Sequence, residues 1–246
     1  MRRQACYALI FALLASVHSR AETTCIDSSL LAHSTVGITR YFEGAERNAQ
    51  SDLVGIQGTA WFQSPTTIVT IEHVVAAMGL STEAWKILTI QDDADSQLIF
   101  ARIQRLAGGG SEKLAVLELQ SAFSAARSVS LRVSPLVPED RLVTFAYPNR
   151  QLRSVSGRFV QYATEGNLSG AALLEIYDGN NRLVIDHGAS GAPVFDCDGR
   201  VAAVISTVIT QIFRTPFGQK RVSTAWGTPN VVSVPIRALM EFSEMQ

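Results

Sequence analysis

The chain is built from short runs of alternating or β-branched apolar residues, separated by clusters of turn-forming residues. Runs of this length and periodicity predict β-strands at hairpin spacing, and about twelve of them predict an all-β barrel or sandwich. One later stretch, 235–245, places Ile236, Leu239 and Phe242 at helical spacing and predicts a short closing helix. The predicted strands are 35–41, 54–62, 68–71, 86–90, 98–103, 114–119, 129–133, 142–146, 154–162, 171–177, 201–208 and 231–234.

The first 21 residues follow a different pattern. Arg2 and Arg3 precede an apolar run, 6–17, that is too short to span a bilayer, and small residues at Ser19 and Ala21 suit cleavage after Ala21. The segment 1–21 is therefore predicted to be a secretory signal peptide. We expect a secreted or periplasmic protein with no stable membrane insertion.

Composition narrows the possible functions. A chain of 246 residues with 47% hydrophobic and 17% charged residues can bury a substantial core. Its 21 basic and 22 acidic residues nearly balance, and no basic run is interleaved with aromatic residues, so nucleic acid is not an expected partner. The histidines and cysteines lack the short spacings of metal ligands, so we expect no metal and no cofactor.

Two cysteines remain once Cys6 leaves with the signal peptide. In an oxidising compartment, Cys25 and Cys197 are expected to form one disulfide between the mature N-terminus and a hairpin near the end of the chain. Two unpaired buried thiols are the alternative.

The segment 186–194 reads DHGASGAPV and places Ser190 between two glycines, just before an apolar run. Gly188 and Gly191 can adopt backbone conformations that a Cβ would forbid, so the amides of Gly188 and Ser190 can converge beside the serine hydroxyl. This arrangement is typical of a nucleophile with an oxyanion hole. An ordinary glycine-rich turn is the alternative, because small residues collect in turns for conformational reasons.

A serine nucleophile needs a base, and His33, His73 and His187 are the candidates in the mature chain. No histidine follows Ser190, which excludes the α/β-hydrolases, whose order is serine, acid, histidine. A turn at 64–65 joins two predicted strands, and His73 stands at the end of the second one. His73 could also be a core histidine, with His187 as the partner of Ser190.

Three blocks of the sequence resemble the trypsin/chymotrypsin-like serine proteases, and within them the bacterial HtrA-type and glutamyl-endopeptidase-type branches. The resemblance covers about residues 35–240 and implies two antiparallel six-stranded β-barrels, 22–125 and 126–246, with no PDZ domain. It also implies His73 as base, Ser190 as nucleophile, and the Gly188 and Ser190 amides as the oxyanion hole, in a cleft between the barrels. The blocks are GTA at 58–60 with IVTIEHVV at 68–75, FAYP at 145–148 with SG at 156–157, and GASGAPV at 188–194.

The chain departs from this family at the third catalytic residue. The family carries an aspartate at the start of a strand, where this sequence has Lys113 followed by LAVL. Glu112 comes immediately before it, after the flexible glycines 108–110, so a bulge could bring the Glu112 carboxylate to the imidazole. Glu112 and Lys113 as a solvated turn pair are the alternative, and further acids at 92–95 look like a polar turn.

The resemblance also places the primary specificity pocket, with its floor at Val184 and one wall at Ile205, Ser206 and Thr207. No carboxylate lies at these positions, so an uncharged substrate residue is expected there. The sequence thus predicts an exported serine endopeptidase that acts on peptides or proteins. The alternative is a pseudoprotease that binds extended peptides by strand addition without efficient turnover.

Overall fold

The protein consists of two closed antiparallel β-barrels and a separate hairpin, as described by a computed structural model. In a closed barrel each strand pairs with a neighbour on both sides, so neither barrel has an open sheet edge. The structure describes residues 25, 29–44, 46, 53–109, 112–177, 188–208, 210–215, 218–223 and 229–240.

The first barrel has the strand order β1-β2-β3-β6-β5-β4 and is preceded by a short helix, α1 (Ser29–Ala32). A second helix, α2 (Glu72–Ala77), follows the third strand. The strands are β1 (Thr35–Tyr41), β2 (Gly55–Ser64), β3 (Thr67–Ile71), β4 (Lys86–Gln91), β5 (Ser96–Ala107) and β6 (Leu114–Leu119).

The second barrel has the strand order β10-β11-β14-β9-β8-β7, and β12 pairs with β13 in a two-stranded sheet outside it. The helix α3 (Arg237–Met240) follows the last strand. The strands are β7 (Arg141–Ala146), β8 (Arg153–Tyr162), β9 (Ala172–Tyr177), β10 (Pro193–Asp196), β11 (Val201–Val208), β12 (Thr210–Thr215), β13 (Gly218–Ser223) and β14 (Val231–Pro235).

The cores of the two barrels explain why these strands form. In β5, buried and exposed positions alternate, because successive side chains of a strand point to opposite faces. Phe145 and Phe195 of the second barrel and Leu239 of α3 join the apolar cluster around Trp61 in the first barrel. This shared apolar cluster packs the two barrels against each other.

The prediction of two six-stranded antiparallel barrels and a short C-terminal helix is confirmed. The strands 35–41, 114–119 and 201–208 begin and end where the sequence predicted. The prediction of a strand at 129–133 is wrong. Both barrels close without this segment, and its only ladder contact is a single parallel bridge from Leu131 to Val201. The hairpin of β12 and β13 was not predicted.

The remaining predictions concern the disulfide, the two ends of the chain and membrane insertion. Cys25 and Cys197 form a disulfide, which ties the segment before α1 to the turn between β10 and β11. The predicted signal peptide lies outside the described residues, as do residues 241–245 of the predicted closing helix. None of the helices in the described part of the chain is long and apolar enough to cross a membrane.

Candidate active site

His73 lies in the first turn of α2. The sequence placed it at the end of a strand, and this is corrected because β3 stops at Ile71 and a helix begins at Glu72. Val74 and Val75 are buried and anchor the helix in the core of the first barrel. The His73 side chain points away from that core and is 42% exposed, so the imidazole is open to reactants.

Glu112 faces this imidazole. Its Oε2 lies 3.0 Å from His73 Nδ1. The neighbouring Lys113 turns away, and its Nζ lies 3.7 Å from Oε1 of Glu72. Because β6 begins only at Leu114, Glu112 and Lys113 precede the strand and are free to point in directions that regular alternation would not give.

The turn that carries Ser190 requires its two glycines. Gly188 and Gly191 have φ angles of +99° and +91°, which side chains disfavour. A Cβ on Gly191 would lie 2.0 Å from the carbonyl oxygen of Thr59 and 2.1 Å from Thr70 Oγ1. The turn can therefore press directly against β2, where the Thr59 amide donates a 2.9 Å hydrogen bond to the Ser190 carbonyl.

Thr59 connects this turn to both barrels. Its buried Oγ1 donates a 2.6 Å hydrogen bond to the Gly188 carbonyl and accepts one of 3.0 Å from the Tyr147 amide. Gln57 Nε2 donates to the Tyr147 carbonyl at 2.7 Å. From the sequence, neither Thr59 nor Tyr147 was assigned a role beyond its motif, and the hydroxyl within the first motif was the only signal.

Tyr147 packs behind this network. Its ring contacts Gly37, where a Cβ would lie 3.1 Å from the ring. Burial, together with the nearby carboxylates of Asp92 and Asp93, raises the pKa of Tyr147 above its usual range. Tyr147 therefore stays neutral, while Asp92 Oδ1 accepts hydrogen bonds within its own turn, from the amides of residues 94 and 95.

The Ser190 hydroxyl donates a 3.0 Å hydrogen bond to the backbone carbonyl of Ser206. In the described chain no hydrogen bond joins Ser190 Oγ to His73. The register of β11 against β14 shifts between Ile205 and Thr207, which leaves Ser206 outside the ladder and its carbonyl free to accept this bond. Rotation about the Cα–Cβ bond of Ser190 is the motion that would turn its Oγ elsewhere.

The amides of Gly188 and Ser190 are available. Within the described residues, no hydrogen bond joins either amide to another group. Two unpaired donors on one turn can stabilise a developing oxyanion.

Two of the other predicted residues, His187 and Val184, lie outside the described residues. His33 is exposed and follows α1. No group of described histidines, cysteines or carboxylates could hold a metal ion.

A cleft of about 320 Å³ borders part of this site. Glu112 and Ser206 both line it, and its other walls come from residues 108–109, residues 167–171, β14 and α3. Of the predicted pocket residues, Ser206 lines this cleft and Thr207 is exposed. The Ile205 side chain is instead 1% exposed in the core of the second barrel, because its backbone pairs with residues 191 and 192 and turns it inward.

Known proteins share this architecture. A family model described as trypsin-like peptidase domain matches residues 58–204. No curated protein matches the chain. The fold is similar to that of Rv3671c from M. tuberculosis H37Rv, solved as an inactive serine-to-alanine mutant, at 13% identity over 89% of this chain and 88% of that one, with a TM-score of 0.56.

Two further structures of Rv3671c protease are similar at 14% identity and a TM-score of 0.57. The inactive form covers 87% of this chain and 89% of its own, and the active form covers 87% and 80%. At such low identity these similarities establish the shared fold alone.

Proposed function

Because the chain belongs to the trypsin-like peptidase family and is thereby a serine peptidase, we propose that it is an exported endopeptidase using Ser190, His73 and Glu112. Ser190 is the nucleophile, His73 the general base and Glu112 the acid that orients it. The observation that carries this assignment is the 3.0 Å contact between His73 Nδ1 and Glu112 Oε2.

The proposed reaction begins when Ser190 Oγ turns from the Ser206 carbonyl to His73 Nε2. His73 takes the hydroxyl proton as Oγ bonds to the carbonyl carbon of the scissile peptide, whose π electrons move to its oxygen. The Gly188 and Ser190 amides donate hydrogen bonds to that oxyanion. His73 then gives the proton to the departing amine, and water, activated by the same imidazole, hydrolyses the acyl-enzyme to restore Ser190.

Glu112 supports this cycle by charge and by geometry. A carboxylate at Nδ1 fixes the tautomer in which Nε2 can accept a proton, and it stabilises the imidazolium that forms. A lysine ammonium next to the ring would oppose that positive charge. The contact between Lys113 and Glu72 keeps the ammonium directed at another carboxylate, so Lys113 is compatible with catalysis.

Covalent labelling tests the proposal. A fluorophosphonate probe should modify the protein at Ser190, and Ser190→Ala should abolish both labelling and peptide hydrolysis. His73→Ala should reduce both to nearly the same extent, because nucleophile and base act as a unit and their losses do not add. Activity that survives His73→Ala would remove His73 as the base.

A pseudoprotease is the second candidate, and one observation favours it. The Ser190 hydroxyl is bonded to Ser206 rather than to the imidazole, as expected of a site that binds peptides without turnover. Peptide binding with no labelling of Ser190 would support this alternative.

Export and the primary pocket complete the proposal. The leader 1–21 and the Cys25–Cys197 disulfide are both compatible with an exported protein. Mass spectrometry of the secreted or periplasmic protein should find a mature chain that begins at Glu22. We also expect cleavage after an uncharged residue, with Val184, Ser206 and Thr207 around its side chain, and peptide-library profiling would show a preference for Arg or Lys if this is wrong.

A further inference from the structure

Arg237 lies on the wall of the cleft and has no part in the proposed reaction. Its guanidinium carbon lies 5.2 Å from the ring centroid of Tyr162. A Cβ on Gly170, in the turn 166–171, would lie 4.0 Å from Nη2 of the same group. Arg237 is exposed, and the aromatic ring attracts its cation and favours a position close to the turn.

Among the described residues this charge has no anionic partner. In the part of the chain that the structure describes, Arg237 forms no ion pair with a carboxylate. Glu112 lines the same cleft, but its carboxylate is bonded to His73. The cleft therefore presents a guanidinium that pairs with no described carboxylate, in a space that Glu112 of the proposed catalytic groups also lines.

The other walls suit the carbon chain of a side chain. Leu168, Ala171 and Val232 are among the residues that line the cleft. Methylene groups gain free energy when they are removed from water against such surfaces. A planar guanidinium also matches the two oxygens of a carboxylate, which it can bind through two parallel hydrogen bonds.

We propose that this cleft is a secondary substrate subsite that selects an acidic side chain, preferably glutamate, through Arg237. The inference rests on the proposed function, since it assigns a peptide to the same site. The acidic residue occupies a position other than the one that donates the scissile carbonyl. The enzyme would thus cut after an uncharged residue within acidic segments of its substrates.

Matched peptides that differ only by Glu, Gln or Lys at each position around the cleaved bond test the subsite. At one position, Glu should raise kcat/KM about fivefold over Gln, the size expected of a partly exposed ion pair. Arg237→Gln should abolish this preference and Arg237→Glu should reverse it in favour of Lys. The preference should shrink as ionic strength rises, because salt screens exposed charges.

The control is Arg127→Gln, which removes an exposed arginine outside the cleft and should leave the preference intact. Binding of the same peptides to Ser190→Ala, measured by fluorescence anisotropy, separates the subsite from catalysis. Equal binding of Glu and Gln peptides overturns the subsite whatever the rate of hydrolysis. A retained binding preference without any hydrolysis by the native protein supports the subsite and overturns the endopeptidase activity.

Discussion

At the scale of single residues, the proposed site depends on two adjacent residues of opposite charge. Glu112 and Lys113 are adjacent, yet their charged groups contact different residues of the first turn of α2: His73 for the glutamate and Glu72 for the lysine. The family places its acid at the position of Lys113. A shift of one residue toward the N-terminus thus preserves a carboxylate at the imidazole.

Glu112→Gln should therefore lower kcat by between about 10² and 10⁴, the upper figure being the loss on replacing a triad aspartate by its amide. The neutral amide keeps the shape but no longer stabilises the imidazolium. Lys113→Ala should change kcat by less than about twofold, because the ammonium is directed at Glu72. Steady-state kinetics on one peptide substrate measures both changes.

The opposite pattern would identify a degenerate site. If Glu112→Gln were silent and Lys113→Asp raised or created activity, the family position would be the functional one and Glu112 would be a bystander. No change in any of these variants would mean that the acid lies elsewhere.

Thr59 acts at the same scale as a positioning residue. Thr59→Val keeps the shape of the side chain but removes the 2.6 Å hydrogen bond to the Gly188 carbonyl. The turn should lose its alignment, with a fall in kcat of about 10- to 100-fold, below the cost of deleting an oxyanion donor. KM should change little, and affinity for a peptide aldehyde, whose adduct uses the same amides, should fall with kcat.

Thr144→Val is the matched control for Thr59→Val. Its hydroxyl is also buried and donates a 2.7 Å hydrogen bond, but to Pro193 in the second barrel rather than to Gly188. Thr144→Val should lose about 1–3 kcal/mol of stability because one buried acceptor is left unpaired, and Thr59→Val should lose at least as much because the Tyr147 amide also loses its acceptor. Thr59→Ser should restore kcat, and an equal loss of kcat in Thr144→Val would show that stability alone was responsible.

At the scale of elements, the turn 188–191 depends on its close approach to β2. Gly191→Ala should destabilise the protein by more than about 3 kcal/mol, since its Cβ would lie 2.0 Å from the Thr59 carbonyl oxygen and the chain must shift. Urea unfolding followed by circular dichroism measures the loss.

Gly166→Ala is the control that separates the cost of a positive φ from the cost of the steric clash at Gly191. Gly166 also has a positive φ, +66°, but an added Cβ would meet nothing within 4 Å. This control should lose about 1 kcal/mol from backbone strain alone. Comparable losses in the two variants would show that the contact with β2 contributes nothing.

Elements were predictable where short runs of β-branched or apolar residues are buried nearly throughout. The strands β1 and β6 are buried at all but one position each, and their bounds matched the sequence. The helix α2 over EHVVAA was not predicted, because valines favour strands and only the packing of Val74 and Val75 selects the helix. Glu112 was predicted near His73, but the contact of Lys113 with Glu72 depends on that helix.

At the scale of the whole molecule, contacts between the barrels could not be predicted. Thr59 and Tyr147 are 88 residues apart, and their hydrogen bond exists only because the barrels pack against each other. The resemblance to trypsin-like proteases implied that His73 and Ser190 would come from different barrels. The chemistry of a single motif contains no information about which distant backbone group its side chain will contact.

The Cys25–Cys197 disulfide closes the longest loop of the molecule that the structure describes, with a sequence separation of 172 residues. In the chain-entropy model, a crosslink over such a loop stabilises the folded state by up to about 5 kcal/mol, because it restricts the unfolded chain. The double variant Cys25→Ser, Cys197→Ser should therefore unfold at a lower temperature, as measured by thermal melting.

Activity at 25 °C should survive the same change. The bond joins the segment before α1 to the turn between β10 and β11, and neither cysteine contacts His73, Glu112 or Ser190 in the described structure. Wild-type protein reduced with dithiothreitol should unfold at the same temperature as the double variant. This comparison controls for effects of the serines themselves. Two free thiols in the exported, unreduced protein would contradict the bond. If the reduced protein instead lost kcat before it lost structure, the disulfide would be holding β10, and with it the Ser190 turn, in its active position.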